Sequence, residues 1–188
     1  MTEHVLNIGN KVIATLRKPE ALSDLTARYP PTQLLVVKVD VTNNADITAA
    51  FAEAEQAFGR IDVVFNNAGV FTTGEVESTG EADAREMFDV NFWGAAHVSK
   101  EAVRFFREVN KPAGGRLLQV SSGLGLMGGI ASGFYSASYV WLHILVFSTI
   151  ILIIDHDVLA TESLVSLRRL IVVQWETHAA ISSFRGSQ

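Results

Sequence analysis

Short apolar runs alternate with segments of helical periodicity over the first 120 residues of the chain. The apolar runs predict four strands, at 11–16, 34–39, 61–65 and 116–120. The segments around them predict helices at 1–7, 19–29, 43–58 and 81–109. Strands that alternate with helices in this way form parallel βαβ units, so the pattern predicts an α/β fold with a doubly wound parallel sheet.

The pattern changes after residue 120. All five lysines lie within the first 111 residues, and the stretch 121–154 contains no Asp, Glu, Lys or Arg. Three interpretations remain open for its apolar second half, 139–154: a buried strand or core helix, a membrane segment, or translated non-coding DNA. The run is shorter than the roughly 20 residues that a membrane-spanning helix needs. His143 lies in this run without a second ligand at metal spacing, so no metal site is expected.

Composition narrows the class of protein. The 188 residues, 48% apolar and 19% charged, are typical of one globular domain rather than of a disordered chain. The absence of cysteine excludes a disulfide scaffold and a thiolate zinc site, and it favours an intracellular, cytoplasmic location. A net charge of -5 without a basic stripe argues against nucleic acid as a partner. Residues 1–7 lack the basic and apolar regions of a secretory signal.

Polar residues and glycine follow the predicted strands. Ligands bind at the carboxyl ends of the strands in a parallel sheet, so these residues are candidates for a binding site. In strand order they are Arg17-Lys18, Asp40-Val41, Asn66-Asn67-Ala68-Gly69 and Ser121-Ser122, with Tyr135 following thirteen residues after Ser122. Each residue taken singly also has an interpretation without a ligand. Arg17 could lie in a solvated loop, and Asp40 and the two asparagines could simply be turn residues.

Together these residues resemble the short-chain dehydrogenase/reductase family, because their order and spacing match its motifs. The matching set is Asp40-Val41, Asn66-Asn67-Ala68-Gly69, Asn91, Ser121-Ser122 and Tyr135-Ser136-Ala137-Ser138. The resemblance covers roughly residues 2–138, about three quarters of the chain. It implies a partial dinucleotide-binding domain of the Rossmann type at 1–138, followed by a divergent apolar segment at 139–188.

The resemblance also implies an activity. Family members transfer a hydride between a nicotinamide cofactor and the carbon of a small alcohol or carbonyl compound. By this likeness Tyr135 is the acid and base, Ser122 donates a hydrogen bond to the substrate oxygen, and Asn91 holds a water of the proton relay. The implied cofactor residues are Arg17, Asp40, Val41, Asn67, Ala68, Gly69 and Lys100. Arg17 would suit the 2′-phosphate of NADP, which favours NADP over NAD, whereas Lys100 also fits a solvated helix lysine.

Two departures separate the chain from the family pattern. The family begins with a strand and a glycine-rich turn that binds pyrophosphate, whereas this chain starts within the helix that would follow them. We therefore expect an incomplete sheet without its first strand. The family lysine four residues after the tyrosine is replaced by Tyr139. A catalytically inactive remnant and a membrane-associated reductase, held through 139–154, are the alternatives to an active oxidoreductase, and an oligomer is compatible with the sequence.

Overall fold

The computed structural model describes residues 1–154 and 169–173, which form one parallel β-sheet with helices on both faces. In chain order the elements are α1 (Thr2–Asn7), β1 (Lys11–Leu16), a 3-10 turn (Pro19–Leu22), α2 (Ser23–Arg28), β2 (Leu34–Lys38), α3 (Asn44–Phe58), β3 (Val63–Asn66), α4 (Glu81–Phe88), α5 (Ala95–Arg104), β4 (Arg116–Gln119), α6 (Leu124–Met127), α7 (Gly133–Ile154) and β5 (Arg169–Val173). The predicted α/β fold is confirmed, and the predicted strands lie within two residues of their expected ends.

A strand from the C-terminal part of the chain lies in the centre of the sheet. The strand order is β2-β1-β5-β3-β4, and all neighbouring strands run parallel. Ile171 of β5 pairs with Ile13 of β1 on one side and with Val64 of β3 on the other. In a dinucleotide-binding sheet this position belongs to the first strand of the chain. The first element here is a helix, as expected, and the position is filled by a strand that the sequence analysis does not predict.

Apolar side chains cover both faces of the sheet, as the alternation along β1 shows. Ile13 packs on one side with Phe51 of α3 and with Phe105, which follows α5. Val12 packs on the other side with Leu6 of α1. Successive side chains of a strand point to opposite faces, so both helical layers are needed to bury β1. Because all neighbouring strands run parallel, their carboxyl ends lie at one edge of the sheet. The candidate residues that follow the strands lie at this edge.

The helix predicted at 81–109 is continuous but contains two segments of wide, π-type turns. The first, Asp89–Gly94, joins α4 to α5, and the second, Phe105–Val109, follows α5. Asn91 lies within the first segment and is fully buried. Gly94 allows this segment to contact the end of β2, because a Cβ at Gly94 would lie 2.7 Å from Cγ2 of Val41. Such π turns occur frequently at functional sites, and here one of them carries a candidate residue.

The apolar stretch after residue 139 forms most of α7, a helix of 22 residues. Tyr139 and Leu142 are buried on this helix, whereas Val140 and Trp141 are exposed. Of the interpretations left open for 139–154, the structure therefore shows a helix, which over residues 139–145 buries one face and exposes the other. Among the helices of the described residues, none has the length and hydropathy of a membrane span. The domain boundary at 138/139 stays a prediction, and α7 crosses it.

Candidate active site

Asn91 joins the loop after β3 to the first turns of α7. Its Oδ1 accepts a hydrogen bond from the backbone N–H of Val70 at 2.8 Å, and its Nδ2 donates to the Val70 carbonyl at 2.9 Å. The same Nδ2 donates to Ser138 Oγ at 3.1 Å, and that hydroxyl donates to the carbonyl of Tyr135 at 2.7 Å. Because Asn91 and Ser138 are fully buried, these bonds fix the position of Tyr135 relative to the loop.

The side chain of Tyr135 lies between an aromatic residue of that loop and a second tyrosine of α7. Its ring centroid is 4.5 Å from that of Phe71, with the two ring planes almost perpendicular at 79°. It is 4.9 Å from the ring centroid of Tyr139. Edge-to-face pairs of this kind add to the stabilisation that burial provides and restrict the ring. Tyr135 therefore has a defined orientation in the first turn of α7.

Tyr139 follows Tyr135 by four residues and is only 6% exposed. Its hydroxyl lies against Gly69, because a Cβ at Gly69 would come within 2.6 Å of Tyr139 Oη. Burial raises the pKa of the Tyr139 phenol above its usual value of 10.0, and the charge and hydrogen bond of Tyr135 raise this pKa further. A neutral hydroxyl thus occupies the place where the resemblance implies a lysine ammonium.

The turn between β4 and α6 carries Ser122 and packs on α7. Ser122 is half-buried, and its Oγ accepts a 3.3 Å hydrogen bond from the backbone N–H two residues on. The hydroxyl of the preceding Ser121 forms a hydrogen bond with Nε2 of His143. Gly125 permits the close approach of α6 to α7, since a Cβ there would lie 2.5 Å from Cβ of Tyr139. Ser121 and His143 therefore tie the Ser122 turn to the helix that carries Tyr135.

Asp40 and Val41 make their contacts within the protein at the end of β2. Asp40 Oδ1 accepts hydrogen bonds from the N–H and the hydroxyl of Thr42, at 2.9 and 2.7 Å, and the Asp40 N–H donates to Asp46 Oδ2 at 3.0 Å. These bonds form a turn that leads into α3, which is the turn interpretation considered for Asp40. Val41 is buried in the core against Gly94. Within the described part of the chain, no hydrogen bond joins Asp40 or Val41 to Tyr135 or to the residues that hold it.

Arg17, Asn67 and Ser122 follow three strands at the same edge of the sheet. The strand order places Arg17 after β1, Asn67 after β3 and Ser122 after β4, with β5 between the first two strands. Neighbouring strands are about 4.8 Å apart, so Arg17 and Asn67 follow strands separated by about 10 Å. Arg17 and Asn67 are half-buried, Ala68 is buried in the core, and Lys100 is exposed on α5. The described residues contain no cluster of three side chains suited to a metal ion.

Comparison with known proteins identifies the family. A sequence model described as short chain dehydrogenase matches residues 1–148. The chain belongs to the short-chain dehydrogenase family. It is 38% identical over 130 residues to an uncharacterized oxidoreductase of Schizosaccharomyces pombe, an alignment that covers 69% of this chain and 42% of the relative. The chain therefore spans less than half of the length of that relative.

Solved structures share the fold of this chain. A short-chain dehydrogenase from Streptomyces avermitilis superposes with a TM-score of 0.74 at 27% identity, covering 90% of this chain and 58% of that one. The 3-ketoacyl-(acyl-carrier-protein) reductase from Brucella melitensis, solved in complex with NADH, has a TM-score of 0.66 at 19% identity, covering 75% and 69%. The second likeness concerns the fold alone.

Asn66 and Ser138 belong to the motifs that carry the resemblance, but the sequence analysis gave neither residue a role. Asn66 is fully buried, and its Nδ2 donates to the Ala95 carbonyl at 3.1 Å and to Gln119 Oε1 at 2.8 Å. It therefore holds β3 to α5 and to β4. Strand alternation gave a signal for Asn66, since it must point to the opposite face from Asn67. The role of Ser138 was not predictable from the sequence, because it depends on a contact across 47 residues.

Proposed function

We propose that this chain supports the NAD(P)-dependent interconversion of an alcohol and a carbonyl compound, with a small molecule as substrate. The observation that carries the proposal is the buried chain of hydrogen bonds from Asn91 through Ser138 to Tyr135. This chain ends at the backbone carbonyl of Tyr135, and the rings of Phe71 and Tyr139 orient the partly exposed phenol. Parallel α/β sheets bind ligands at the carboxyl edge, where we place this phenol. Membership of the short-chain dehydrogenase family supports the reaction class.

The residues at this edge fit a nicotinamide dinucleotide on its adenosine side. Arg17 supplies a cation for a 2′-phosphate, which favours NADP, and Asn67 supplies a half-buried amide. The face of Gly69 is covered by the Tyr139 hydroxyl, so we assign the polar contacts to Arg17 and Asn67 rather than to Gly69. The NADH complex of the Brucella melitensis reductase supports a cofactor of this type. When bound, the cofactor would give or accept the hydride.

The chain's own residues would handle the proton and orient the substrate. Tyr135 Oη would donate a proton to a carbonyl oxygen during reduction and accept one from a hydroxyl group during oxidation. Ser122 keeps its hydroxyl hydrogen for the substrate oxygen, since its bond to the backbone uses only an acceptor position. Asn91 Oδ1 keeps one lone pair after binding Val70, which suffices for a relay water. Tyr139 carries no charge, so we expect slower turnover than a lysine would give.

Oxidation of NADPH with a panel of ketones and aldehydes tests this function in the full chain. Tyr135→Phe removes the transferable proton and is expected to lower kcat/KM by about 100-fold or more. Tyr29→Phe is the matched control, because Tyr29 donates its hydroxyl hydrogen to Asn7 Oδ1 at 2.5 Å beside α1, outside the site. Turnover that survives Tyr135→Phe, or that falls equally with Tyr29→Phe, would contradict the assignment.

A further inference from the structure

We infer that the site takes an uncharged, apolar carbonyl compound or alcohol, and that it discriminates against substrates carrying a carboxylate or a phosphate. This inference rests on the proposed function, since it concerns the substrate that Tyr135 would meet. It follows from two segments that flank Tyr135, the loop 70–79 and the segment 123–132 with its short helix α6, which together we call the rim loops.

The rim loops meet beside Tyr135. The backbone N–H of Gly74 in the first loop donates to the carbonyl of Ala131 in the second at 2.9 Å. Phe71 of the first loop packs edge-on against the Tyr135 ring. Val76 reaches the start of α7, where a Cβ on Gly133 would lie 3.2 Å from Val76 Cγ2. The body of a substrate whose oxygen approaches Tyr135 would therefore contact the rim loops.

The rim loops expose large apolar side chains to solvent. The exposed fractions are 64% for Val76, 77% for Leu126, 84% for Met127 and 100% for Ile130. Scattered single apolar residues are ordinary on a protein surface, but several on adjoining loops beside a candidate catalytic residue indicate a ligand-binding surface. Desolvation of these side chains would favour an apolar substrate body.

The charges of the rim point in the same direction. No Lys or Arg occurs between Arg60 and Arg85, nor between Arg116 and Arg168, and these two intervals contain both rim loops and all of α7. The basic side chains that normally recognise carboxylates and phosphates are therefore missing from both segments. Glu75 and Glu77 flank Val76 at the exposed tip of the first loop, where they would repel an anion.

A matched pair of ketones tests the inference. 2-Octanone and 7-oxooctanoate share the methyl ketone and the chain length, and they differ in a terminal methyl group against a carboxylate. Saturation-transfer NMR with the full chain should show transfer to 2-octanone and a signal about tenfold weaker or more for 7-oxooctanoate. This readout measures binding and does not require turnover. Equal or stronger transfer to 7-oxooctanoate would overturn the inference.

A charge introduced on the rim should shift the preference. Ile130→Lys adds a cation at a fully exposed position and should raise binding of 7-oxooctanoate relative to 2-octanone by about tenfold. Ile8→Lys is the control, because Ile8 is 60% exposed just after α1, before β1 begins. A ratio unchanged by Ile130→Lys, or changed equally by Ile8→Lys, would refute the rim as the binding surface. If the parent chain shows the binding preference but neither it nor any variant turns over a ketone, the proposed function is refuted while the inferred binding surface stands.

Discussion

Replacement of Asn91 by alanine should weaken both the fold and the site, whereas the matched change at Asn110 should weaken the fold alone. Both asparagines are fully buried, and each makes three side-chain hydrogen bonds. Asn110 accepts from the Ile61 N–H at 3.1 Å and donates to the carbonyls of Ile61 and Gly114, both at 2.6 Å. The two residues thus bind the same kinds of groups, but Asn110 lies near the start of β3, at the opposite edge of the sheet from Tyr135.

The stability cost follows from the groups left without partners. Each alanine variant deprives three groups of their hydrogen bonds, and a buried group left unsatisfied costs about 1–3 kcal/mol. Water that enters the vacated space recovers part of this, so we expect each variant to lose about 2–4 kcal/mol of unfolding free energy. Urea denaturation followed by circular dichroism measures the loss. A loss well below about 1 kcal/mol for Asn91→Ala would contradict the hydrogen-bond geometry described here.

Activity separates the two variants. Asn91→Ala frees the Val70 loop and the Ser138 hydroxyl, and a displacement of about 1 Å at Tyr135 suffices for about a 100-fold loss of turnover. Asn110→Ala should keep the turnover of the parent chain at a temperature where both variants are folded. Equal turnover of the two folded variants would show that Asn91 serves the fold and has no part in positioning Tyr135.

Three further predictions concern charge and contact. Arg17→Asp should reverse a preference for NADP over NAD in cofactor titrations, and an unchanged ratio would mean that Arg17 has no cofactor role. Burial raises the pKa of Tyr139, so the stability that this phenol contributes is fully present below pH about 10 and is lost as the pH rises further. The unfolding free energy measured in urea should therefore fall above that pH, and the fall should be smaller in Tyr139→Phe. A double-mutant cycle of Ser121→Ala and His143→Ala should give a coupling of about 0.5–1.5 kcal/mol, and strict additivity would exclude their hydrogen bond.

Local patterns suffice for most of the fold. The apolar runs of β1 to β4 and the stripe of α3 carry their periodicity within a few residues, so the strands and helices up to residue 120 are predictable. The central strand β5 is different, because its place is set by pairing with β1 and β3, more than 100 residues away in sequence. The five residues of β5, one arginine and four apolar residues, contain no local signal that predicts pairing with such distant strands. A helix at 139–154 was similarly only one of several interpretations, because this stretch is apolar almost throughout and shows no periodic alternation of polar and apolar residues.

The site is predictable as a set of residues but not as a set of contacts. The motif order selects Asn91, Ser122 and Tyr135, and the structure links Asn91 to Tyr135 through Ser138. The closure of Tyr139 over Gly69 depends on how α7 packs against the loop after β3, and no local signal shows this. The pairing of Ser121 with His143 likewise spans 22 residues. Such contacts arise only when the tertiary packing brings distant segments together.

Transfer of deuterium from the cofactor to the substrate would show whether this chain carries out hydride transfer with Tyr135 as the proton donor. The full chain is incubated with a ketone substrate and NADPH deuterated at both C4 positions, and the alcohol product is analysed by mass spectrometry. We expect one deuterium on the carbinol carbon with the parent chain, and about 100-fold less labelled alcohol from Tyr135→Phe over the same short incubation. Absence of labelled alcohol from the parent chain, or the same yield from Tyr135→Phe, would contradict the proposed reaction at this site.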